Sequence, residues 1–337
     1  MKFISVLLIS FLLLPTQLIV AAEVNVYSAR KENLIKPLLD RFTEETGIQV
    51  NLVTSQADTL IKRMQIEGRN SPADILLTVD VARLYRTKEH GLFKSIDSEI
   101  LLNAIPEHFR DKDNEWFGLS LRSRVVVYAP ERVNVDALSS YEDLANDKWK
   151  NRICVRSSGN VYNQSLVAAL IAHNGIEATE QWATDFVNNF ARKPKGGDRD
   201  QIKAMATGVC DIALVNTYYL AGMLNSDQSE DIEEAAKVKL FWPNQANRGA
   251  HMNVSGAGIL KHGPNQKEAL QLLEFLVSDE AQHWYAETNH EFPVKPGISA
   301  SNILKSWGEF KADNLDLNLL GENNQQAVLL MDRASWK

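Results

Sequence analysis

The sequence predicts an α/β protein built as two lobes, and three features carry that reading. Strand-like runs alternate with amphipathic helical stretches, the pattern of a mostly parallel sheet covered on both faces. One run, "ADILLTVD" at 73–80, is apolar almost throughout instead of alternating, as a strand buried on both faces must be. Once a leader is set aside, 315 of the 337 residues remain, more than one ordinary core encloses.

The elements follow in order. Residues 1–22, "MKFISVLLISFLLLPTQLIVAA", read as a secretory signal peptide: one lysine, an apolar run, then small residues before a cleavage after about Ala22. The competing reading, an uncleaved anchor, sits poorly with a short run that Pro15 and Gln17 interrupt. No Cys follows the cleavage point, so a soluble exported protein in the periplasm, without a lipid anchor, is expected. Next, "VNVYSARKENLIKPLLDRFTEETGIQVNLV" predicts a strand, a helix with Leu34, Ile35, Leu38, Leu39 and Phe42 on its apolar face, Gly47 as the stop, and a second strand. A helix through Leu60–Glu67, the buried strand and a helix from Val81 continue the rhythm. In such sheets ligands bind beyond the carboxyl ends of the strands, which singles out "YSAR", "TVD", "RSSGNVY" and "NTYY".

Several functions are disfavoured by composition. The formal charge of −7 becomes −8 without Lys2, with both signs interspersed, so nucleic acid is not an expected partner. There is no GxGxxG, Walker or HExxH pattern. The seven histidines are scattered and none stands beside a serine or cysteine in a nucleophile context, so no enzyme is predicted. Only His251, in "RGAHMNVSGAG", falls near a probable crossing between lobes. Carboxylates in "DKDNEW" and "SEDIEE" read as solvated surface. The two cysteines, Cys154 and Cys210, each lie in a strand-like run; in an oxidising compartment they are candidates for one disulfide, two buried thiols being the alternative.

"VNTYYLAGM" raises the chemical question. Tyr218 and Tyr219 stand where a strand-like run gives way to something helical, so both phenols can face one cavity. A free phenol ionises near pH 10, and a phenolate at neutral pH needs strong nearby positive charge. A hard, highly charged cation supplies it, and ferric iron suits phenolate oxygen. A tyrosine pair alone more often reflects packing or a sugar pocket.

Context narrows the choice. "VYSARKENLIKPLLDRFTEETGI", "SPADILLTVD", "LRSRVVVYAPERV", "KWKNRICVRSSGNVYNQSLVAALI", "GGDRDQIKAMATGVCDIALVNTYYLAGM" and "GAHMNVSGAGILKHGPNQKEALQLLEFLVS" occur in this order. Together they resemble the periplasmic ferric-iron-binding proteins of the transferrin-like FbpA/FutA family, receptors of iron ABC importers, over almost the whole mature chain. The resemblance implies a type II periplasmic-binding-protein fold with two α/β lobes around a hinge and the ligand cleft between them. It implies a first lobe of 23–122 plus about 250–295 and a second of 123–249 plus about 296–337. Strands near "SRVVVY" and "HMNVSGAG" would cross between them.

By the same resemblance the metal ligands are Tyr162 of "SSGNVYNQ" with Tyr218 and Tyr219 of "NTYY". The chain departs from the family twice: Lys31 and Glu32 stand where relatives carry histidine or tyrosine, and Val79 stands where some carry glutamate. A three-tyrosine site for Fe3+ completed by a synergistic anion, carbonate or bicarbonate, is therefore expected. Arg30, Arg122, the Ser158-Gly159-Asn160 turn and Asn216 are its candidate anion donors. Asp198, where phosphate-using relatives have asparagine, favours carbonate over phosphate. Tyr27, Glu32 and Asp80 are candidates for the cleft wall or an extra ligand, and Arg124 is left outside the site. The implied partners are an inner-membrane ABC permease and its ATPase, with the receptor itself a monomer. The alternative is a receptor of this fold for a polyamine, thiamine or a phosphonate.

Overall fold

The computed structural model describes residues 22–337; of the predicted leader, residues 1–21 lie outside them. Nine strands form among the described residues. They are β1 (Glu23–Ser28), β2 (Gln49–Thr54), β3 (Ile75–Val79), β4 (Phe117–Tyr128), β5 (Ile153–Cys154), β6 (Ile212–Asn216), β7 (Lys239–Phe241), β8 (Met252–Ile259) and β9 (Phe292–Pro293). They join in the order β2-β1-β3-β8-β4-β6-β5, with β7 and β9 also pairing with β4.

The first helices behave as their sequence demands. Helix α1 (Lys36–Thr46) buries Leu38, Leu39 and Phe42 and ends on Gly47, whose φ of 74° is the left-handed conformation glycine adopts without strain. It starts later than the apolar spacing predicts. Pro37 has no N–H to give and is accommodated only in a first turn, so Leu34 falls in a preceding 3-10 turn and Ile35 at the cap. Helix α1 connects β1 to β2 and α2 (Ala57–Glu67) connects β2 to β3, with β2 and β3 both pairing in parallel with β1; α3 (Val81–Glu89) follows β3.

The sheet is mixed instead of mostly parallel. Parallel pairing holds between β1 and β2, β1 and β3, and β5 and β6; every pairing of β4 and β8 is antiparallel. These two long strands carry the chain out of one lobe and back, so they must run in opposite directions. Strand β4, buried along all 12 residues, changes neighbour midway. Phe117–Ser123 pairs with β8, whereas Arg124–Tyr128 pairs with β6. Close packing at the crossing explains the small residues of β8: a Cβ on Gly256 would meet the Phe117 carbonyl oxygen at 2.5 Å, and one on Gly258 would meet the Phe93 ring at 2.5 Å.

Apolar side chains gather on both sides of that crossing. One core runs from Val24 to Leu121, returns with Met252 to Val294, and takes in Leu317 and Leu320. Beyond Ser123 a second core stacks Trp149, Trp182, Phe186 and Trp336, and a third surrounds Val125, Met205 and Met223. Cys154 and Cys210 form a disulfide within the third core. Among the described residues no helix is long and apolar enough to cross a membrane.

Candidate metal centre

Two helix starts build the centre. Helix α4 (Glu99–Ala104) lies in the first lobe; beyond the crossing, α5 (Val161–Asn174), α6 (Ile176–Asn188), α7 (Asp198–Ala206) and α8 (Thr217–Leu224) surround β5 and β6. Strand β6 ends at Asn216 and turns directly into α8, which places Tyr218 and Tyr219 second and third in the first turn. Tyr162 is second in α5, the helix that follows β5. Because β5 and β6 are parallel, both helices start at the same end of the sheet. The Tyr218 and Tyr162 hydroxyls lie 3.1 Å apart, and the Tyr218 and Tyr219 ring centroids 4.4 Å apart.

This arrangement concentrates oxygen without neutralising it. Burial pushes the Tyr218 phenol well above its ordinary 10, the neighbouring Tyr162 and Tyr219 phenols push it further, and Arg122 opposes them. Burial likewise raises Tyr219, followed by the charges of Tyr162 and Asp198. With Tyr218 and Tyr219 held back from ionising by burial first and by neighbouring charge second, the site is short of positive charge. The positive ends of two helix dipoles favour phenolate there, though each by no more than about 1 kcal/mol. A bound cation removes the conflict. Among the described residues no group of three His, Cys, Asp or Glu side chains is placed to hold a metal, so phenol oxygen is the donor the chain offers.

Arginines ring the phenols, each with an acidic partner. Arg122, buried in β4, lies 5.7 Å from the centre of the Tyr162 ring and 3.8 Å from the Asp80 carboxylate, with its Nη2 otherwise unpartnered. Arg30 is buried too, but its Nη2 donates to Glu291 at 2.7 Å, and Ser120 donates to the same carboxylate at 2.6 Å. It remains close enough to Tyr218 for phenol charge to stabilise its cation. The Ser158-Gly159-Asn160 turn precedes α5, closed by Asn160 N–H donating to the Ser157 carbonyl at 3.1 Å, and the buried Asn160 Oδ1 has no partner. Asn216 donates its side-chain amide to the Tyr218 hydroxyl at 3.3 Å.

The remaining candidates stand apart from the phenols or are already engaged. The Tyr27 hydroxyl is turned onto α2, donating to Glu67 at 3.1 Å beneath Arg63. Glu32 is exposed in its 3-10 turn. Asp80 holds φ at 83°, unusual for a residue with a side chain, and its carboxylate is fully occupied. Oδ1 accepts from Ala82 N–H and from the Ser165 hydroxyl of α5 at 2.7 Å, and Oδ2 accepts from the Asn253 amide at 3.0 Å.

Three participants escaped the sequence reading. Arg156 lies 5.5 Å from the centre of the Tyr162 ring and pairs loosely with Asp198 at 3.5 Å; despite burial, the charges of Asp198, Tyr219 and Tyr162 favour its cation. Its position two residues past Cys154, at a strand's carboxyl end, was a signal of the kind that drew attention to Arg122. Arg124, set aside from sequence, bridges the two tyrosine-bearing segments: Nη2 donates to Asn163 at 2.7 Å and Nη1 to Asn216 at 3.0 Å. His251 lines a cavity of about 10 Å³ with Asp80, Arg122, Arg124, Tyr162, Asn216 and Asn253. Burial, then the arginines, depress its pKa to about 3, so it is neutral there.

The same architecture and sequence recur in known proteins. The family model described as bacterial extracellular solute-binding protein matches residues 70–312. Iron uptake protein A1 of Synechocystis is 47% identical over 315 residues, covering 94% of this chain and 88% of that protein. A Trichodesmium protein called IdiA or FutA, solved in complex with iron and citrate, superposes with a TM-score of 0.90 at 47% identity, covering 94% of this chain and all of that one. The ferric binding protein of Campylobacter jejuni also reaches 0.90, at 37% identity over 93% of this chain and all of its own.

Proposed function

We infer that this chain, which belongs to the bacterial extracellular solute-binding protein family and to its FutA/FbpA iron-uptake branch, is a receptor that captures ferric iron and delivers it to an ABC importer. Its fold is the type II periplasmic-binding-protein fold of those relatives. Residues 23–122 with about 250–295 make the first lobe and the remainder the second, a division supported by the change of partner in β4 after Ser123. The leader is removed after about Ala22 and the mature monomer works in the periplasm, binding without catalysis. Its partners are the permease and ATPase of the importer.

The iron is held by the phenolates of Tyr162, Tyr218 and Tyr219. The observation that carries this reading is the 3.1 Å approach of the Tyr162 and Tyr218 hydroxyls at the start of two helices, with Tyr219 beside them. Three phenolates neutralise a trivalent ion. Around them four guanidiniums (Arg30, Arg122, Arg124 and Arg156) face three carboxylates (Glu291, Asp80 and Asp198). The single surplus positive charge suits a small anion such as bicarbonate or carbonate on the metal's open side, and Arg122, with Nη2 otherwise unpartnered, is its foremost donor. A polyamine would need free carboxylates at the cleft, and each of these three already faces an arginine.

Iron joins the second lobe first and favours closure because its anion meets the first lobe's arginines only when the cleft shuts. The test is a ferric titration of the apoprotein with and without bicarbonate, followed by visible absorbance. A phenolate-to-iron charge-transfer band that strengthens with bicarbonate is expected. An iron complex with no such band overturns the phenolate assignment.

A further inference from the structure

We infer that the Cys154–Cys210 disulfide is a positioning element of the iron site, a covalent clamp that fixes the register of the two segments presenting the phenols. The inference rests on the phenolate reading above.

The bond joins the starts of both segments. Cys154 is the last residue of β5, and Cys210 lies two residues before β6. From Cys154 to Tyr162 is eight residues, and from Cys210 to Tyr218 is also eight. Each path runs through the same sheet edge into the first turn of a helix. A shift of one segment along the other would therefore separate the two hydroxyls that now lie 3.1 Å apart.

Backbone pairing by itself holds this register poorly. Strand β5 has two residues, paired to β6 as Ile153 with Ile212 and Cys154 with Ala213; just before it the Arg152 carbonyl accepts from the Asp211 and Ile212 N–H groups, and beyond it the Ile153–Phe190 bridge continues the sheet. So short a pairing is weakly specified. Downstream of Cys154 the loop is tied to its own helix and to the chain's end: the Asn163 amide donates to the Arg156 and Ser157 carbonyls, and the Trp336 indole donates to the Arg156 carbonyl at 2.8 Å. Neither tie reaches the β6 segment. Arg124 does, joining Asn163 to Asn216 beside the phenols. The segments are thus fastened at both ends, at the base by the disulfide beside the Arg152–Asp211 ion pair at 2.7 Å, and at the tip by the Arg124 guanidinium. Both sulfurs sit in a packed core with Val125, Val127, Ile202 and Met205, so the crosslink is anchored to the body of the lobe.

A clamp of this kind raises affinity by keeping the competent phenol arrangement populated before iron arrives. The experiment compares Cys154→Ala/Cys210→Ala with Phe42→Ala, which opens a void beneath α1 in the first core, away from both segments. Both are matched for lowered melting temperature and checked for native circular dichroism; Cys154→Val/Cys210→Ala refills the volume if the first variant does not fold. Ferric affinity is measured by competition with nitrilotriacetate. The cysteine variant is expected to bind about 10-fold more weakly or worse with its charge-transfer band retained, while Phe42→Ala keeps wild-type affinity. Wild-type affinity in the cysteine variant, or equal losses in both variants, overturns the clamp alone. A colourless wild-type iron complex overturns the phenolate reading and the clamp with it.

Discussion

The two walls of the cleft solve different problems. The wall beyond the crossing gathers three phenols that repel one another's charge, with Arg156 and Arg122 near Tyr162. On the opposite wall the charged groups are engaged: Arg30 by Glu291, and Asp80 by Ser165, Asn253 and its own helix. A frustrated surface is one that a ligand can relieve, whereas a satisfied one serves as framework. The contrast suits a receptor that takes its cargo on one lobe and shuts the other over it.

The largest effect that could break this contrast concerns iron itself. Tyr218→Phe/Tyr219→Phe should weaken ferric binding by well over ~100-fold, the upper reach of outer-shell changes, and abolish the visible band. Titration by competing chelator checks it; retained colour would dissolve the distinction between the walls. The same oxygens take protons as pH falls, so wild-type affinity should decline steadily with acidification, because each ionised ligand competes for a proton.

Next in size is the framework wall. Glu291→Gln leaves the buried Arg30 without its charge partner and should lower unfolding free energy by about 3 to 5 kcal/mol, read by urea denaturation. The position of the charge-transfer band should not move; a shifted band would make Glu291 part of the chemistry. Gly256→Ala tests the crossing between the walls. Its added methyl would press on the Phe117 carbonyl, and a loss of about 1 to 3 kcal/mol is expected from overpacking.

The smallest effect separates acid stability from binding within the second lobe. Glu142 accepts from Asn174 and Asn244 and pairs with Arg248 at 2.6 Å, and these partners outweigh burial to hold its pKa near 2, below the ordinary 4.5. A depressed carboxylate stabilises the fold above the unfolded value and loses that contribution as pH falls from 4.5 towards 2. The stability gap between wild type and Glu142→Gln should therefore be complete at pH 6 and vanish near pH 2, with neutral iron binding unchanged. A gap that is flat with pH would rule out this ionisation as its source.

The alternation of strands and helices, the Gly47 stop, the buried "ILLTV" strand and the gathering of Tyr162, Tyr218 and Tyr219 in one place were all legible in the sequence. Each depends on local preference or on oxygen chemistry that residue types carry with them. The direction of β4 and β8 was not legible, because antiparallel crossing strands and parallel core strands are equally apolar when buried on both faces. Nor was the difference between Arg30, engaged by a glutamate 261 residues away, and Arg122, whose Nη2 remains otherwise unpartnered. Arg124 and Arg156 read as ordinary cations until the fold set them against Asn163, Asn216 and Tyr219. Which charges stay available is decided by partners distant in the chain, and only the folded backbone chooses those partners.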